Sequence, residues 1–425
     1  MIKRGDQFRN YLIMFFLLAV SAMPYFNVTQ AYIIIGAGVL TVMFFTNKSI
    51  KIDKDISHVI LALLFVVLLQ SLVFSFFKLI TIAGLVLRIW VAYLSVKLLK
   101  KNFLYYYIGI MRFFCLTSLV IFIPIILYPG LLDKLLSAIP DILRYKYQLW
   151  GFEIDRKTII IYNFNMTIEG TKLIRNCGPF WEPGAFGGFL ILAFMFNTVR
   201  AGTLLNKLNW LFMITIISTL STTTYIGLFA FIIIYYLFEK RSIWYRALLI
   251  AIGFVGIVGF QTLDFLGAKI DAEQAGVQDA IATKGGNTRL ASAYLDWQDI
   301  KGYPITGRGI WDETRVDSKF KYVIRNNGLT NFLASWGIIF FTFYFVLYYK
   351  NFKIYCRLFN TNRFMPVALI FVIWLMAFSE NYFGTPFFWT FVFMSIPFTA
   401  SLKRTNLLND SAGYYSKDVL YTQLD

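Results

Sequence analysis

The chain has 425 residues, of which 58% are hydrophobic, 19% aromatic and only 15% charged, with a formal net charge of +17. A soluble domain has nearer ~25% charged residues, and here apolar runs of about 20 residues, the length of a helix that crosses a bilayer, recur from end to end. The composition excludes an ordinary soluble protein. It predicts an all-α, polytopic transmembrane bundle in which residues 1–425 form a single domain.

About twelve spans are predicted, and the position of the basic residues orients them. With the N-terminus inside, Lys and Arg collect on short cytoplasmic segments, as at Lys100, Lys101 and Lys240, whereas the short external connections contain only Lys78. This positive-inside pattern predicts that both termini are cytoplasmic, including the tail 402–425, and the charge gives no indication of a nucleic-acid partner. The predicted spans are 9–26, 31–46, 58–77, 80–97, 103–128, 184–199, 209–221, 222–238, 244–262, 327–348, 366–382 and 384–401.

The first of two long external loops covers residues 129–183. From Leu131 to Arg144 the apolar side chains fall on one stripe, which predicts a short helix lying in the outer interface and broken near Pro140. The segment Thr158–Tyr162 is rich in β-branched residues and predicts a strand. The loop is therefore expected to be ordered.

The first loop re-enters the membrane through Arg175-Asn-Cys-Gly-Pro-Phe-Trp-Glu182-Pro-Gly. The planar fork of an arginine binds phosphate through two hydrogen bonds, and a glutamate can accept a proton from a sugar hydroxyl. The prolines and glycines form a rigid frame around these two residues. The alternative is a loop closed by an Arg175–Glu182 pair, with Glu182 and Pro183 simply starting a helix.

The second long loop, 263–326, contains a predicted helix from Thr288 to Lys301, ended by Gly302 and Pro304. Arg289 and Asp296 are seven residues apart and therefore share one face of this helix. A Gly-Arg-Gly turn follows. An ordinary solvated amphipathic helix is the alternative to a binding surface. The residues that the loop offers for a cationic pocket are Arg289, Arg308 and Arg325.

A few charged residues fall within or at the ends of predicted spans. Arg88 lies near the middle of span 80–97, Arg112 lies closer to the inner surface, and Glu380 lies near the outer end of its span. A charge inside a bilayer is costly, so such residues are usually paired or functional. Arg88 is therefore a candidate for substrate contact. For Arg112 the alternative is that its side chain simply extends to the inner membrane surface. Glu380 is placed to pair with a loop arginine.

Cysteine and histidine usage gives no indication of a metal centre. Cys115 is predicted within a span, Cys177 outside and Cys356 in the cytoplasm, so no disulfide is expected. With His58 as the single histidine, a zinc site is not expected. The external loops contain no Asp-x-Asp cluster, and no metal or other cofactor is predicted.

Three short patterns together resemble the O-antigen polymerase and ligase superfamily of membrane glycosyltransferases, over roughly residues 80–400. The order, spacing and external placement of the three patterns together are more specific than any single pattern. The patterns are Arg175-x-x-Gly-x-Phe-Trp181-Glu182-Pro, then Arg289 through Pro304 followed by Gly-Arg308-Gly, then Asn326-Asn327 with Gly337 ten residues after Asn327. Many ligases of the family have a histidine where this chain has Asn326, and the family's Ser-Arg pair in a span corresponds to Ser221-Thr222. Because asparagine cannot act as a base, these departures favour the Wzy-type polymerases over the ligases.

The resemblance implies a repeat-unit polymerase for O-antigen or capsule, in the bacterial inner membrane and with its active site facing the periplasm. The donor would be a growing glycan on undecaprenyl diphosphate, and the acceptor a lipid-linked repeat unit whose hydroxyl displaces the diphosphate at the anomeric carbon. A chain-length regulator and a flippase are expected in the same membrane. The alternatives are a ligase that transfers the finished chain to lipid A core and, from another class, a lipid-linked oligosaccharide flippase or transporter.

The resemblance also implies roles for particular residues. Arg175 and Arg289 would stabilise the charge on the leaving diphosphate without a metal, and Glu182 would act as the base or orient Arg175. The residues expected to contact substrate are Arg88, Trp181, Arg308, Arg325, Asn326 and Asn327.

Overall fold

The computed structural model describes residues 4–27, 29–47, 51–128, 130–149, 152–164, 174–238, 264–283, 288–315 and 325–398. The predicted span 244–262 and the tail 402–425 lie outside these residues. The described chain is mostly helical. Its α-helices are α1 (Arg4–Ala22), α2 (Pro24–Asn27), α3 (Gln30–Thr46), α4 (Lys54–Phe74), α5 (Leu79–Leu99), α6 (Phe103–Leu127), α7 (Gly130–Ala138), α8 (Pro183–Ala201), α9 (Lys207–Ser218), α10 (Thr222–Phe238), α11 (Asp264–Thr283), α12 (Arg289–Gly302), α13 (Gly328–Leu358), α14 (Met365–Ala377) and α15 (Pro386–Thr390).

Four helical runs are long and apolar enough to cross a membrane, and they indicate a membrane-embedded protein. A short turn at Lys100–Asn102 divides one of these runs into α5 and α6. Several other predicted spans correspond to apolar helices of only 10–17 residues, so the number twelve stays a prediction. The four runs are Lys54–Phe74, Leu79–Leu127, Pro183–Ala201 and Gly328–Leu358.

Exposed apolar stripes on the outer helices support this conclusion. On α4, the side chains of Leu61, Phe65, Leu68 and Leu72 are all more than half exposed, and their spacing of three or four residues places them on one face. Monomeric soluble proteins rarely expose a contiguous apolar face of this kind, so these stripes are expected to contact lipid. The corresponding stripe on α6 consists of Phe113, Leu116, Val120, Ile123 and Leu127.

Helix α8 lies at the centre of the bundle. Every residue from Pro183 to Val199 is buried, and the helix packs against α6, α9, α10 and α14. Pro183 occupies the first turn, where its missing N–H has no helical partner to lose. The start of α8 therefore holds Glu182, the residue before it, at a fixed position among the surrounding helices.

The first long loop contains a small antiparallel sheet, so the all-α prediction is wrong in this loop. The predicted strand Thr158–Tyr162 is instead a strand end, a turn and a strand start, because Thr158 pairs with Asn163 and Ile159 pairs with Tyr162. Tyrosines alternate with basic residues at the start of the first strand, which is a period-two signal for a strand. The strands, in spatial order, are β1 (Arg144–Leu149), β2 (Phe152–Ile159) and β3 (Tyr162–Asn163).

Both helices predicted within the long loops are confirmed. Helix α7 ends at Ala138, two residues before the break predicted at Pro140. Helix α12 begins at Arg289 because the Thr288 side chain caps it, accepting a hydrogen bond from the Ala291 N–H at 3.2 Å. It ends at Gly302, and it packs against α11 and α13.

The turn at residues 307–309 docks on a kink in α13. Gly307, Gly309 and Gly337 all have positive φ angles, of 71°, 99° and 69°. The kink at Gly337 frees helix carbonyls, and the turn supplies backbone N–H groups to them, so each segment satisfies the other. The backbone bonds are Arg308 N to Ala334 O (2.8 Å), Gly309 N to Ser335 O (3.1 Å) and Ile338 N to Pro304 O (2.9 Å).

Gly337→Ala is expected to destabilise the protein by more than the roughly 1–3 kcal/mol of an unfavourable φ angle, because the new methyl would also press on the Ile305 carbonyl. Two substitutions serve as controls. Gly202→Ala has a positive φ in open space and measures the φ cost alone, whereas Gly84→Ala in α5 meets nothing and should stabilise slightly. The measurement is the unfolding midpoint in detergent. Equal losses for Gly337→Ala and Gly202→Ala would contradict the docking.

Candidate functional site

The segment 174–182 is fixed by two fully buried amide side chains. Asn176 Nδ2 donates to Ser218 Oγ at 2.9 Å, which ties the segment to the end of α9. Asn163 Nδ2 donates to the Phe180 carbonyl at 2.8 Å, which ties it to β3. The buried Phe180 ring packs into the core beside α8. The two candidate residues near the ends of the segment are therefore held on a fixed backbone.

Arg175 and Arg289 resemble each other, because each is held by one hydrogen bond from Nε to a backbone carbonyl. Arg175 Nε donates to the Thr219 carbonyl at 3.1 Å, and Arg289 Nε donates to the Ser379 carbonyl at 3.4 Å. The terminal nitrogens of both side chains form no hydrogen bond or ion pair with any residue that the structure describes. Each guanidinium is thus positioned through one nitrogen while the outer nitrogens stay open to a ligand.

Glu182, Arg289 and Glu380 lie close enough to Arg175 for their charges to act on it. Burial lowers the pKa of Arg175, the nearby Glu182 carboxylate raises it, Arg289 lowers it again and Glu380 raises it. Arg175 remains protonated, as arginine does in proteins. Two arginines and two glutamates, from segment 174–182, the start of α12 and the segment after α14, therefore form one cluster. We call Arg175, Glu182, Arg289 and Glu380 the Arg–Glu cluster.

The two carboxyl groups of this cluster face the same glycine. A Cβ atom on Gly184 would lie 2.7 Å from Glu380 Oε1 and 3.4 Å from Glu182 Oε1. Trp181 Nε1 donates to the other Glu380 oxygen at 3.0 Å, while the buried Oε1 accepts no hydrogen bond from the described residues. Burial and then the adjacent Glu182 carboxylate raise the pKa of Glu380 well above its ordinary value. This is the arrangement of two carboxyl groups that share one proton.

The position of Glu380 differs from the sequence prediction in two respects. Helix α14 ends at Ala377, so Glu380 lies in the connection to α15 and not at the end of that helix. It was predicted to pair with a loop arginine, and Arg289 is indeed near it, but its closest partners are Trp181 and Glu182. Sequence spacing gave no signal for a contact between residues 182 and 380.

The unfolding midpoint is expected to fall as the pH rises above the ordinary Glu pKa of 4.5. With a raised folded pKa, the folded state binds more protons than the unfolded state, so the stabilisation is complete below that value and is lost as the pH rises through the folded pKa. Glu380→Gln mimics the protonated side chain and should remove this fall. Glu313→Gln, at an exposed carboxylate paired with Lys78, is the control and should leave it in place. The same slope in Glu380→Gln as in the wild type would contradict the shared proton.

A second charged network fixes α12 to α13. Asp296 and Asp299, both fully buried, bind Arg315 and Arg325, so both arginine forks are engaged. Burial raises the pKa of Asp296, although Arg315 and Arg325 oppose this. The network also includes Thr330, whose hydroxyl donates to Asp296. The distances are Arg315 to Asp296 2.6 Å and to Asp299 2.8 Å, Arg325 to Asp296 2.7 Å and to Asp299 3.3 Å, and Thr330 to Asp296 2.5 Å.

Neither Asp299 nor Arg315 was predicted as a functional residue. The spacing of Asp296 and Asp299, which puts both carboxylates on one helix face, is a signal for Asp299, whereas nothing local indicates Arg315. Arg325, predicted to contact substrate, is an ion-pair partner in this network. The structure thus separates the loop arginines into Arg289, with open outer nitrogens, and those that bind buried aspartates.

The remaining predicted residues of the second loop have partners within the loop and at the start of α13. Arg308 lies over the Tyr303 ring, 4.7 Å from its centroid, with Nε 3.4 Å from Asp299. Asn327 caps α13, accepting a hydrogen bond from the Thr330 N–H at 3.1 Å. The Asn326 N–H donates to Ser292 Oγ at 3.0 Å. All three residues connect the loop to the start of α13.

Arg88 lines a cavity of about 400 Å³ among α1, α5, α13 and the connection from α14 to α15. Its Nη1 donates a hydrogen bond to the Gly384 carbonyl at 3.4 Å. Arg112, the other arginine predicted within a span, is exposed. The connection from α14 to α15 forms a wall of both sites, because Ser379 and Glu380 belong to the cluster side and Asn381 and Gly384 line the cavity.

No group of three or more His, Cys, Asp or Glu is placed to hold a metal ion within the described ranges. The structure brings the first two sequence patterns together in the Arg–Glu cluster, and it docks the Gly-Arg-Gly turn of the second on Gly337 of the third. Comparison of the chain with protein-family models, curated proteins and solved structures found no match. The resemblance to the polymerase and ligase superfamily therefore rests on these three patterns.

Proposed function

We propose that this protein polymerises undecaprenyl-diphosphate-linked oligosaccharide repeat units into a bacterial surface polysaccharide, O-antigen or capsule, at the outer face of the inner membrane. The observation that supports it most is that Arg175 and Arg289, from different loops, present open guanidinium groups beside two carboxyl groups. A diphosphate offers two phosphoryl groups, and each is a suitable partner for one arginine. Fixed cations also stabilise the negative charge that develops on a leaving diphosphate.

The proposed reaction assigns one role to each member of the cluster. An acceptor sugar hydroxyl attacks the anomeric carbon of the lipid-linked donor chain, so that a new C–O bond forms and the bond to the diphosphate breaks. Glu182 accepts the hydroxyl proton, and Glu380, which stays protonated beside it, keeps the carboxyl pair at a single negative charge before the reaction. Arg175 and Arg289 bind the departing diphosphate. Trp181 holds Glu380 in place through its indole N–H.

The phenotype of a deletion strain tests this function. For an O-antigen, cells that lack the protein should make lipid A core capped with a single repeat unit, because single units are still transferred but not joined. In that case, core without any repeat unit would contradict the proposal and indicate a ligase or a flippase. For a capsule, deletion should remove the polymer and leave the lipid A core unchanged. Purified protein should also build a ladder from lipid-linked repeat units in excess chelator. Loss of that activity, restored by a divalent ion, would show that the arginines alone do not stabilise the leaving group.

The external position of the cluster is tested by labelling. The native cysteines Cys115, Cys177 and Cys356 are buried, so they should react slowly with an impermeant thiol reagent. Ser137→Cys, at an exposed position in α7, should be labelled in intact spheroplasts, and Arg363→Cys, exposed between α13 and α14, only after lysis. The reverse pattern would place the Arg–Glu cluster on the cytoplasmic side and contradict the proposed location.

A further inference from the structure

The cavity around Arg88 has the properties of a binding site separate from the Arg–Glu cluster. Its volume of about 400 Å³ falls within the range of small-molecule sites. Helices that are far apart in sequence contribute to it, and α13 contributes residues of its first turns, from Gly328 to Trp336. A helix N-terminus has a partial positive charge, which favours an anion in the cavity. Among the described residues that line it, none is acidic.

Arg88 is the one cation among these lining residues, and it is incompletely used. A guanidinium has five N–H donors, and the contact of Arg88 with the described chain is a single long hydrogen bond to the Gly384 carbonyl. It forms no ion pair with any described residue. A half-buried charge without a counter-charge is costly inside a membrane protein, and a bound anion would offset that cost.

The rest of the lining matches a sugar ring better than an inorganic ion. Phe332, Trp336 and Phe383 give the cavity an aromatic lining, which the C–H groups of a pyranose can contact. Asn331 Nδ2 donates to Asn381 Oδ1 at 3.4 Å and Asn381 Nδ2 to the Arg325 carbonyl at 2.6 Å, and each amide keeps a second N–H and a second lone pair for sugar hydroxyls. Inorganic phosphate has no apolar groups that could pack against the aromatic lining.

We propose that this cavity binds a carboxylated sugar of the repeat unit, with Arg88 binding the carboxylate, so that the substrate is an acidic glycan. The number of charges supports a carboxylate: one arginine matches one carboxylate, whereas the two open arginines of the Arg–Glu cluster match a diphosphate. Because the connection from α14 to α15 borders both sites, one oligosaccharide can have its reacting end in the cluster and a more distant sugar in the cavity. This assignment to the repeat unit rests on the proposed polymerase function.

The test is a binding measurement on the full-length protein in detergent, without turnover. The unfolding midpoint is titrated with glucuronic acid, its methyl ester, glucose and inorganic phosphate, because a ligand that binds the folded state raises the midpoint. Glucuronic acid is expected to bind at least about tenfold more tightly than the ester or glucose, the effect of one charged hydrogen bond. Equal binding of acid and ester would overturn the proposal. Tighter binding of phosphate than of glucuronic acid would also overturn it and assign the cavity to a phosphate group.

Three variants locate the binding. Arg88→Gln should weaken glucuronic acid by about tenfold or more and leave glucose unchanged, and Arg88→Lys should weaken it less, because the charge is kept and the fork is lost. Arg112→Gln removes the exposed arginine of a neighbouring helix and should have no effect. If Arg88→Gln is too unstable to purify, Arg88→Lys decides alone, since undiminished binding in that variant would contradict a role for the guanidinium fork.

The composition of the cell's polysaccharide separates this proposal from the polymerase proposal. The polymer that disappears on deletion is expected to contain a carboxylated sugar in every repeat unit. A neutral polymer that disappears would overturn the carboxylate assignment and leave the polymerase function intact. If the protein binds glucuronic acid but its deletion leaves the polymer unchanged, the cavity binds a carboxylated sugar and the polymerase function is contradicted.

Discussion

Arg175→Ala is expected to lower the rate of polymer formation by about 10²–10³, the usual effect of removing one fixed group that stabilises developing charge. The side chain is positioned through Nε alone, and its outer nitrogens have no partner in the described chain, so their expected partner is the leaving diphosphate. Arg175→Lys keeps the charge but loses the fork, and it should restore the activity only partly. The rate is measured with purified protein and lipid-linked repeat units.

Two controls separate catalysis from folding in this experiment. Protein abundance in the membrane should be normal for Arg175→Ala, because the segment 174–182 is fixed by the amides of Asn176 and Asn163 and not by Arg175. Arg112→Ala, at an exposed arginine, should leave the rate unchanged. Full-length polymer at a near-normal rate in Arg175→Ala would make the residue structural, and Arg289 would then be the first residue in which to seek the catalytic cation.

Asp296→Asn is expected to lower the free energy of unfolding by about 3–5 kcal/mol, as removal of one partner from a buried ion pair typically does. The substitution keeps the size of the side chain but leaves Arg315 and Arg325 with one carboxylate between them. Since those arginines fix α12 to the start of α13, the position of Arg289 should also change, and activity should fall with stability. Denaturation in micelles, followed by tryptophan fluorescence, measures the change.

A matched control and a double variant complete this experiment. Asp271→Asn, at an exposed position on the neighbouring helix α11, should change stability by less than about 0.5 kcal/mol. Asp296→Asn combined with Arg315→Gln removes one charge of each sign and should be less destabilised than the sum of the two single variants, because the two residues interact directly. Indistinguishable stabilities for Asp296→Asn and Asp271→Asn would show that the network contributes nothing measurable.

Local signals predicted the helices that hold the candidate residues. Pro183 after Glu182 marks the start of α8, and Thr288 before Arg289 marks the start of α12, because a first-turn proline and a capping hydroxyl act within a few residues. The turn at 307–309 was equally evident from its glycines. These signals are short-range, and for that reason a sequence pattern is enough to identify them.

Short-range signals of this kind could not predict that the candidate residues come together in one site. Most long helices here are apolar on every face, so their sequences do not specify which neighbour each face contacts. The proximity of Glu380 to Glu182 and the use of Asp299 and Arg315 in one network depend on such packing. The strand β1 was not predicted either, because its alternating tyrosines directly follow the apolar stripe that predicted the helix Leu131–Arg144. Arg88 was predicted as a functional residue because a charge within a span is costly, but the cavity that it lines was not predicted.

The contrast between paired and open arginines has a consequence for the effect of salt. Dissolved ions screen exposed charges strongly and buried pairs much less, and Asp296 and Asp299 are fully buried. The frame that positions Arg289 should therefore keep its shape over a wide range of ionic strength. The open guanidinium groups are only half-buried, so their affinity for an anionic headgroup should decline more as salt rises. Slower turnover in concentrated salt would accordingly reflect weaker capture of substrate by an unchanged site.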